Sequence, residues 1–176
     1  LVNCAVSSKA DLIDKLQSEH FKHQYKNSTS YFIMSQQAFR YMRETGGGSI
    51  INIASMYGVV TGYPQVYEGL TPPNPLPYQA DKAAVLQMTR HTAVYWAKHN
   101  IRVNAISPGP FPNTDKAAYK NNPKTEEFIK RLNNAIPLGR SGKPEELKGA
   151  VLFLASDASS FVTGQNILVD GGFTTW

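Results

Sequence analysis

Apolar residues fall into short β-branched runs, separated by longer stretches in which they recur every three or four positions. Residues 1–6 (LVNCAV) form a short apolar run that reads as the end of a buried strand. Residues 7–20 are polar, with weak helical spacing at Leu12, Ile13 and Leu16. Tyr31, Met34, Ala38 and Tyr41 repeat at three and four, which predicts a helix over 22–45, and Gly46-Gly47-Gly48 ends it. Residues 49–55 (SIINIAS) predict a second buried strand. Residues 78–99 carry apolar side chains around most of a helix's circumference. Such a helix is buried on several sides, against the sheet and a second subunit, and Asn100 suits its C-terminal cap. Residues 101–107 predict a third strand, and residues 125–133 a short helix. Pro144, with Glu145 and Glu146 behind it, opens another helix, and residues 166–170 predict the last strand. Residues 56–77 hold five prolines and three glycines and cannot form one regular element. Loops of that length inside a domain are usually functional.

The alternation of strands and helices predicts an α/β fold: a doubly wound parallel sheet with helices on both faces. The 176 residues suffice for one domain, spanning 1–176, with a real core. The single cysteine, Cys4, allows no intrachain disulfide. This fits a reducing compartment, the cytoplasm, and Cys4 itself reads as a small buried hydrophobe. The net charge of +5 is spread over scattered Lys and Arg. No run resembles a nucleic-acid or membrane patch, and no apolar run reaches spanning length. Asn27-Ser28-Thr29 matches the glycosylation pattern, but nothing else suggests secretion. The chain opens on Leu1 within an apolar run, which reads as part of a longer protein.

Candidate chemistry centres on Tyr78-Gln79-Ala80-Asp81-Lys82 at the head of the long helix. Residues four apart share a helix face, so phenol and ammonium point into one cleft. A nearby cation is expected to lower the phenol's pKa and fit it for proton transfer. Ligands of open α/β sheets bind at the carboxyl ends of strands, where Asn3, Ser55 and Pro108-Gly109 all fall. A hydroxyl, a tyrosine and a lysine thus converge on one cleft. No metal is implied.

These residues resemble the classical short-chain dehydrogenase/reductase family, in family order along nearly the whole chain. The matches are Leu-Val-Asn-Cys-Ala-Val at the start, Asn27, Ile53-Ala54-Ser55, Tyr78 to Lys82, and Arg102 to Gly109. Ile136 to Arg140, Pro144-Glu145-Glu146, Val162-Thr163-Gly164 and Val169-Asp170-Gly171-Gly172 continue the series. The resemblance implies a Rossmann-like fold and NAD or NADP as cofactor. It implies a small alcohol or ketone substrate, possibly sugar-like, and a homodimer or homotetramer built on the long helix and the one before it. It implies Tyr78 as the acid or base, Ser55 on the substrate oxygen, and Lys82 on the nicotinamide ribose. Asn27 would hold a water that links Lys82 to solvent. Asn3 and Ala5 would line the adenosine side, Pro108 and Gly109 would lie by the nicotinamide, and Thr114 would contact the cofactor. A 3-oxoacyl-carrier-protein reductase-like enzyme and an inactive fragment or non-catalytic relative are the alternatives.

Three departures stand out. The first βαβαβ half, with its glycine-rich phosphate turn, is absent from the chain, so these 176 residues are expected to bind dinucleotide poorly. The choice between NAD and NADP rests on residues of that half. Cys4 and Val6 replace the family's asparagine and glycine. Ser55 and Tyr78 stand about ten residues further apart than usual, and the surplus, residues 63–77, reads as a substrate-side lid.

Overall fold

The computed structural model describes residues 1–8, 12–112 and 122–175. Four parallel strands, β1 (Val2–Asn3), β2 (Gly48–Ile53), β3 (Ile101–Pro108) and β4 (Asn166–Val169), lie in the order β1-β2-β3-β4. β2 and β3 form the centre, in register from Gly48 opposite Ile101 to Ile53 opposite Ile106. Both are β-branched and covered on both faces, as parallel strands require. Side chains alternate across the sheet. Ile50 and Val103 face one layer of helices, while Ile51 and Ile106 face the other.

The first layer holds α2 (Lys26–Met42) and α4 (Leu76–Trp96), which pack Tyr31, Val85 and Leu86 against Ala54 and Ala105. The second layer is α6 (Lys148–Ala155), whose Leu154 is buried on Ile51 and Ile106. The doubly wound parallel sheet expected from the hydrophobic pattern is therefore present. All carboxyl strand ends share one edge, and β1 is an edge strand.

Local differences have local causes. The single helix expected over 22–45 is two, α1 (Ser18–Gln24) and α2, which meet at Tyr25. The proline-rich segment contains a 3-10 turn (Met56–Gly58) and one helical turn, α3 (Pro64–Tyr67). α4 starts at Leu76, with Pro77 in its first turn, where its missing N–H costs nothing. The outer face of α4 is open in the single chain: Val94 and Tyr95 are 75% and 63% exposed. Asn100 adopts the left-handed conformation (φ 58°) of a helix cap, as expected. α5 (Pro123–Asn134) follows the segment that lies outside the described residues.

Candidate active site

β2 ends at Ile53, and two residues later Ser55 caps the 3-10 turn, its Oγ accepting the Tyr57 N–H at 3.2 Å. α4 begins across this edge and presents Tyr78 in its first turn. The turn presses closely on the helix. A Cβ built on Gly58 would lie 2.9 Å from the carbonyl carbon and oxygen of Lys82. That approach sets the Ser55 hydroxyl beside the Tyr78 phenol. Gly58→Ala should therefore cost roughly 1–3 kcal/mol of stability through overpacking. It should also lower turnover, because the turn must back away from α4; urea unfolding beside steady-state rates checks both.

Lys82 is 3% exposed, and its Nζ donates to the Ile53 carbonyl at 2.8 Å. The ammonium lies 5.5 Å from the ring centroid of Tyr31 and 5.8 Å from that of Tyr78. Its remaining N–H donors have no partner among the described residues and suit the hydroxyls of a ligand, the donor set that a vicinal diol such as a ribose needs. The lysine end of a nicotinamide nucleotide thus fits these residues.

The expected electrostatics need correction. Spacing alone predicts a phenol pulled down by its lysine. In the structure burial pushes the Tyr78 phenol above its ordinary value; the neighbouring Ser55 hydroxyl works against this, and Asp81 adds to it. Lys82 is itself pulled down by burial, with Asp81 and Cys4 opposing. Desolvation outweighs a neighbouring cation at this distance.

The other expected site residues lie as follows. Asn3 is buried, and its Nδ2 donates to Asn52 Oδ1 at 2.8 Å and Ser35 Oγ at 2.9 Å. Asn52 continues to Thr89 at 3.0 Å, so the Asn3 amide is engaged in a network that joins β1, β2, α2 and α4. Asn27 pairs through its amide with the backbone of Ser7, accepting at 2.9 Å and donating at 2.8 Å, and also donates to Gln24 O. Ala5 is exposed, and Cys4, expected to be buried, is exposed as well. Pro108 ends β3. Gly109 is held by β4: its N–H donates to Val169 O at 2.9 Å, and a Cβ there would meet Asp170 Cα at 2.4 Å. Thr114 lies outside the described residues.

Three features escaped the sequence. Tyr31, which looks like part of an apolar stripe, supplies its ring beside Lys82. Asp81, which looks like filler inside the motif, is fully buried. Tyr57 and Tyr67 hydrogen-bond through their hydroxyls. Both line a cavity of about 820 Å³ between the proline-rich segment and the 3-10 turn Ile13–Lys15. Among the described residues its charged lining is Asp14 and Glu68, both acidic. Through Tyr57 this cavity shares a wall with Ser55 and Tyr78.

A family model described as enoyl-(acyl carrier protein) reductase matches residues 1–174. The chain is 38% identical, over 99% of its length, to an NAD-dependent glycerol dehydrogenase of Listeria innocua, and covers 63% of that protein. It is 37% identical, over 85% of its length, to a galactitol 2-dehydrogenase (L-tagatose-forming) of Cereibacter sphaeroides, of which it covers 55%. Among solved structures, a short-chain dehydrogenase from Leptospira borgpetersenii with bound NAD+ superposes with a TM-score of 0.82 at 38% identity, covering 98% of this chain and 63% of that one. The chain thus spans somewhat under two thirds of these relatives. Sheet order, the Ser55–Tyr78–Lys82 arrangement and these matches agree: the chain belongs to the short-chain dehydrogenase/reductase family.

Proposed function

We propose that the chain is the catalytic part of an NAD(P)(H)-dependent oxidoreductase that interconverts a secondary alcohol and a ketone on a small, neutral, polyol- or sugar-like substrate. The reading rests on one observation above all, the Ser55 hydroxyl set beside the partly buried Tyr78 phenol, with the buried Lys82 one helical turn on. Matches to glycerol and galactitol dehydrogenases support the substrate class.

A bound nicotinamide supplies or accepts the hydride at the substrate carbon. The protein must then move one proton on the substrate oxygen. Ser55 and Tyr78 would both hydrogen-bond that oxygen. In reduction Tyr78 gives its proton to the carbonyl oxygen as the alcohol forms; in oxidation the phenolate takes the hydroxyl proton. Burial keeps the phenol protonated at neutral pH, so the acid is loaded for reduction, while oxidation should accelerate with rising pH. Lys82 would orient the nucleotide ribose. Asn3, Ala5, Pro108, Gly109 and Thr114 remain its proposed neighbours, and Asn27 the proposed water holder.

Among the described residues the cavity beside Tyr57 carries acidic and no basic side chains, which favours a neutral substrate over an acyl group on an acidic carrier protein. The open faces of α2 and α4 are the proposed homodimer surface, and a reducing cytoplasm the proposed location. No helix among the described residues is long and apolar enough to cross a membrane.

The test is nicotinamide absorbance, with the full-length protein, against glycerol, hexitols, aldonic acids and a 3-oxoacyl thioester. Neutral polyols or their ketoses should lead in kcat/KM by at least about 100-fold. Preference for the thioester would overturn the substrate class, and no turnover of any alcohol or ketone would overturn the activity.

A further inference from the structure

Asp81 takes no part in the proton transfer described above, yet it is 0% exposed. An ionised carboxylate in such a place is costly unless hydrogen-bonded. Its two partners come from the junction of α1 and α2. The Ser28 N–H donates to Oδ1 at 3.3 Å, and Gln24 Nε2 donates to Oδ2 at 3.4 Å. Ser28 lies in the first turn of α2, where backbone N–H groups have no partner inside the helix and the helix dipole favours negative charge. Gln24 is itself buried. Turning its amide nitrogen to Asp81 leaves its Oε1 the one buried side-chain polar atom without a hydrogen-bond partner among the described residues. That orientation is the one an acceptor-only carboxylate demands.

The anchored carboxylate adjoins the reactive pair along α4, next to Lys82 and three residues beyond Tyr78. Of the ionisable groups on other elements, Cys4 after β1 acts on Lys82, while Tyr31 on α2 and Tyr57 in the 3-10 turn themselves feel the charge of Tyr78. Asp81 is the carboxylate of this set. Lys82 has a carbonyl rather than a carboxylate as its hydrogen-bond partner, and Asp81 comes ahead of Cys4 among the groups that favour its charged form.

We propose that Asp81 is a positioning residue for the Tyr78–Lys82 pair: a buried carboxyl group, anchored on the first turn of α2, that tunes the proton exchange of that pair. The direction of its influence agrees: Asp81 opposes burial at Lys82 and reinforces it at Tyr78.

Asp81→Asn removes the charge and keeps the shape; a turned Gln24 amide then meets the new one. Asp81→Ser also removes the charge and leaves a hydroxyl to accept the Ser28 N–H. If the first variant does not fold, the second gives the same reading. The first measurement needs no nucleotide. Tyrosinate absorbance of the full-length protein is titrated with pH in each variant, with and without Tyr78→Phe, so that the difference isolates Tyr78. Its midpoint should fall by about one pH unit relative to the parent. The second measurement rests on the oxidoreductase reading above: the rising limb of alcohol oxidation should move to lower pH by the same amount. A folded neutral variant whose Tyr78 midpoint stays in place overturns the role of Asp81, whatever the rates. A shifted midpoint without turnover of any alcohol supports Asp81 and counts against the activity instead.

Discussion

Replacing Tyr78 by phenylalanine should abolish most turnover while leaving dinucleotide binding intact. The substitution removes one oxygen from a ring that packs against the cluster of Met56, Tyr57 and Phe173, and the ring itself stays. What disappears is the hydroxyl beside Ser55. A positioned acid or base contributes roughly 10²- to 10⁴-fold to such a step, so kcat should fall by that factor. Stability should change by about 1 kcal/mol, the worth of one hydrogen bond. Steady-state rates, paired with fluorescence titration of the reduced dinucleotide, separate the two effects. An undiminished kcat would remove Tyr78 from the chemistry.

Lys82→Met should fail differently, with binding and turnover falling together. Methionine matches the length and apolar stem of lysine, so it fits the seat between the Tyr31 and Tyr78 rings. It lacks the N–H donors. The hydroxyls of a bound ribose would lose charge-assisted hydrogen bonds worth roughly 1.5–3 kcal/mol, about 10- to 100-fold in dinucleotide affinity. Ile53 O also loses its donor, and Asp81 its nearby cation. Turnover should drop further, because the nucleotide is no longer oriented against Tyr78. Titration of dinucleotide into this variant and into Tyr78→Phe gives the contrast. Equal affinity in the two would argue that Lys82 does not touch the nucleotide.

The sheet was legible because its strands are continuous β-branched runs, and SIINIAS and IRVNAIS admit few other readings in an alternating chain. The convergence of Ser55 and Tyr78 was legible for a topological reason: parallel strands put their carboxyl ends on one edge. The break at Tyr25 was not, since no glycine or proline marks it and the apolar spacing runs through. The early start of α4 was hidden by Pro75 and Pro77, which look like loop residues although Pro77 is harmless in a first turn. Gly58 gives no sign in the sequence, because the backbone it must clear is 24 residues away, at Lys82. The direction of the Tyr78 shift went wrong for lack of one quantity, burial. Helical spacing gives the distance to a cation but says nothing of how much water is lost. Asn27 and Asn3 show the converse limit. A motif names the residue, while its amide partners, Ser7 for the one and Asn52 for the other, are set by the tertiary fold.

The most direct test of the Ser55–Tyr78–Lys82 site is a structure of the full-length protein with oxidised dinucleotide and the ketone product, a pair that cannot react. The ketone oxygen should lie within about 3 Å of both Ser55 Oγ and Tyr78 Oη, with Lys82 Nζ on the ribose hydroxyls. A ketone oxygen held elsewhere, such as on the Tyr57–Tyr67 pair, with Tyr78 out of its reach, would contradict the assignment.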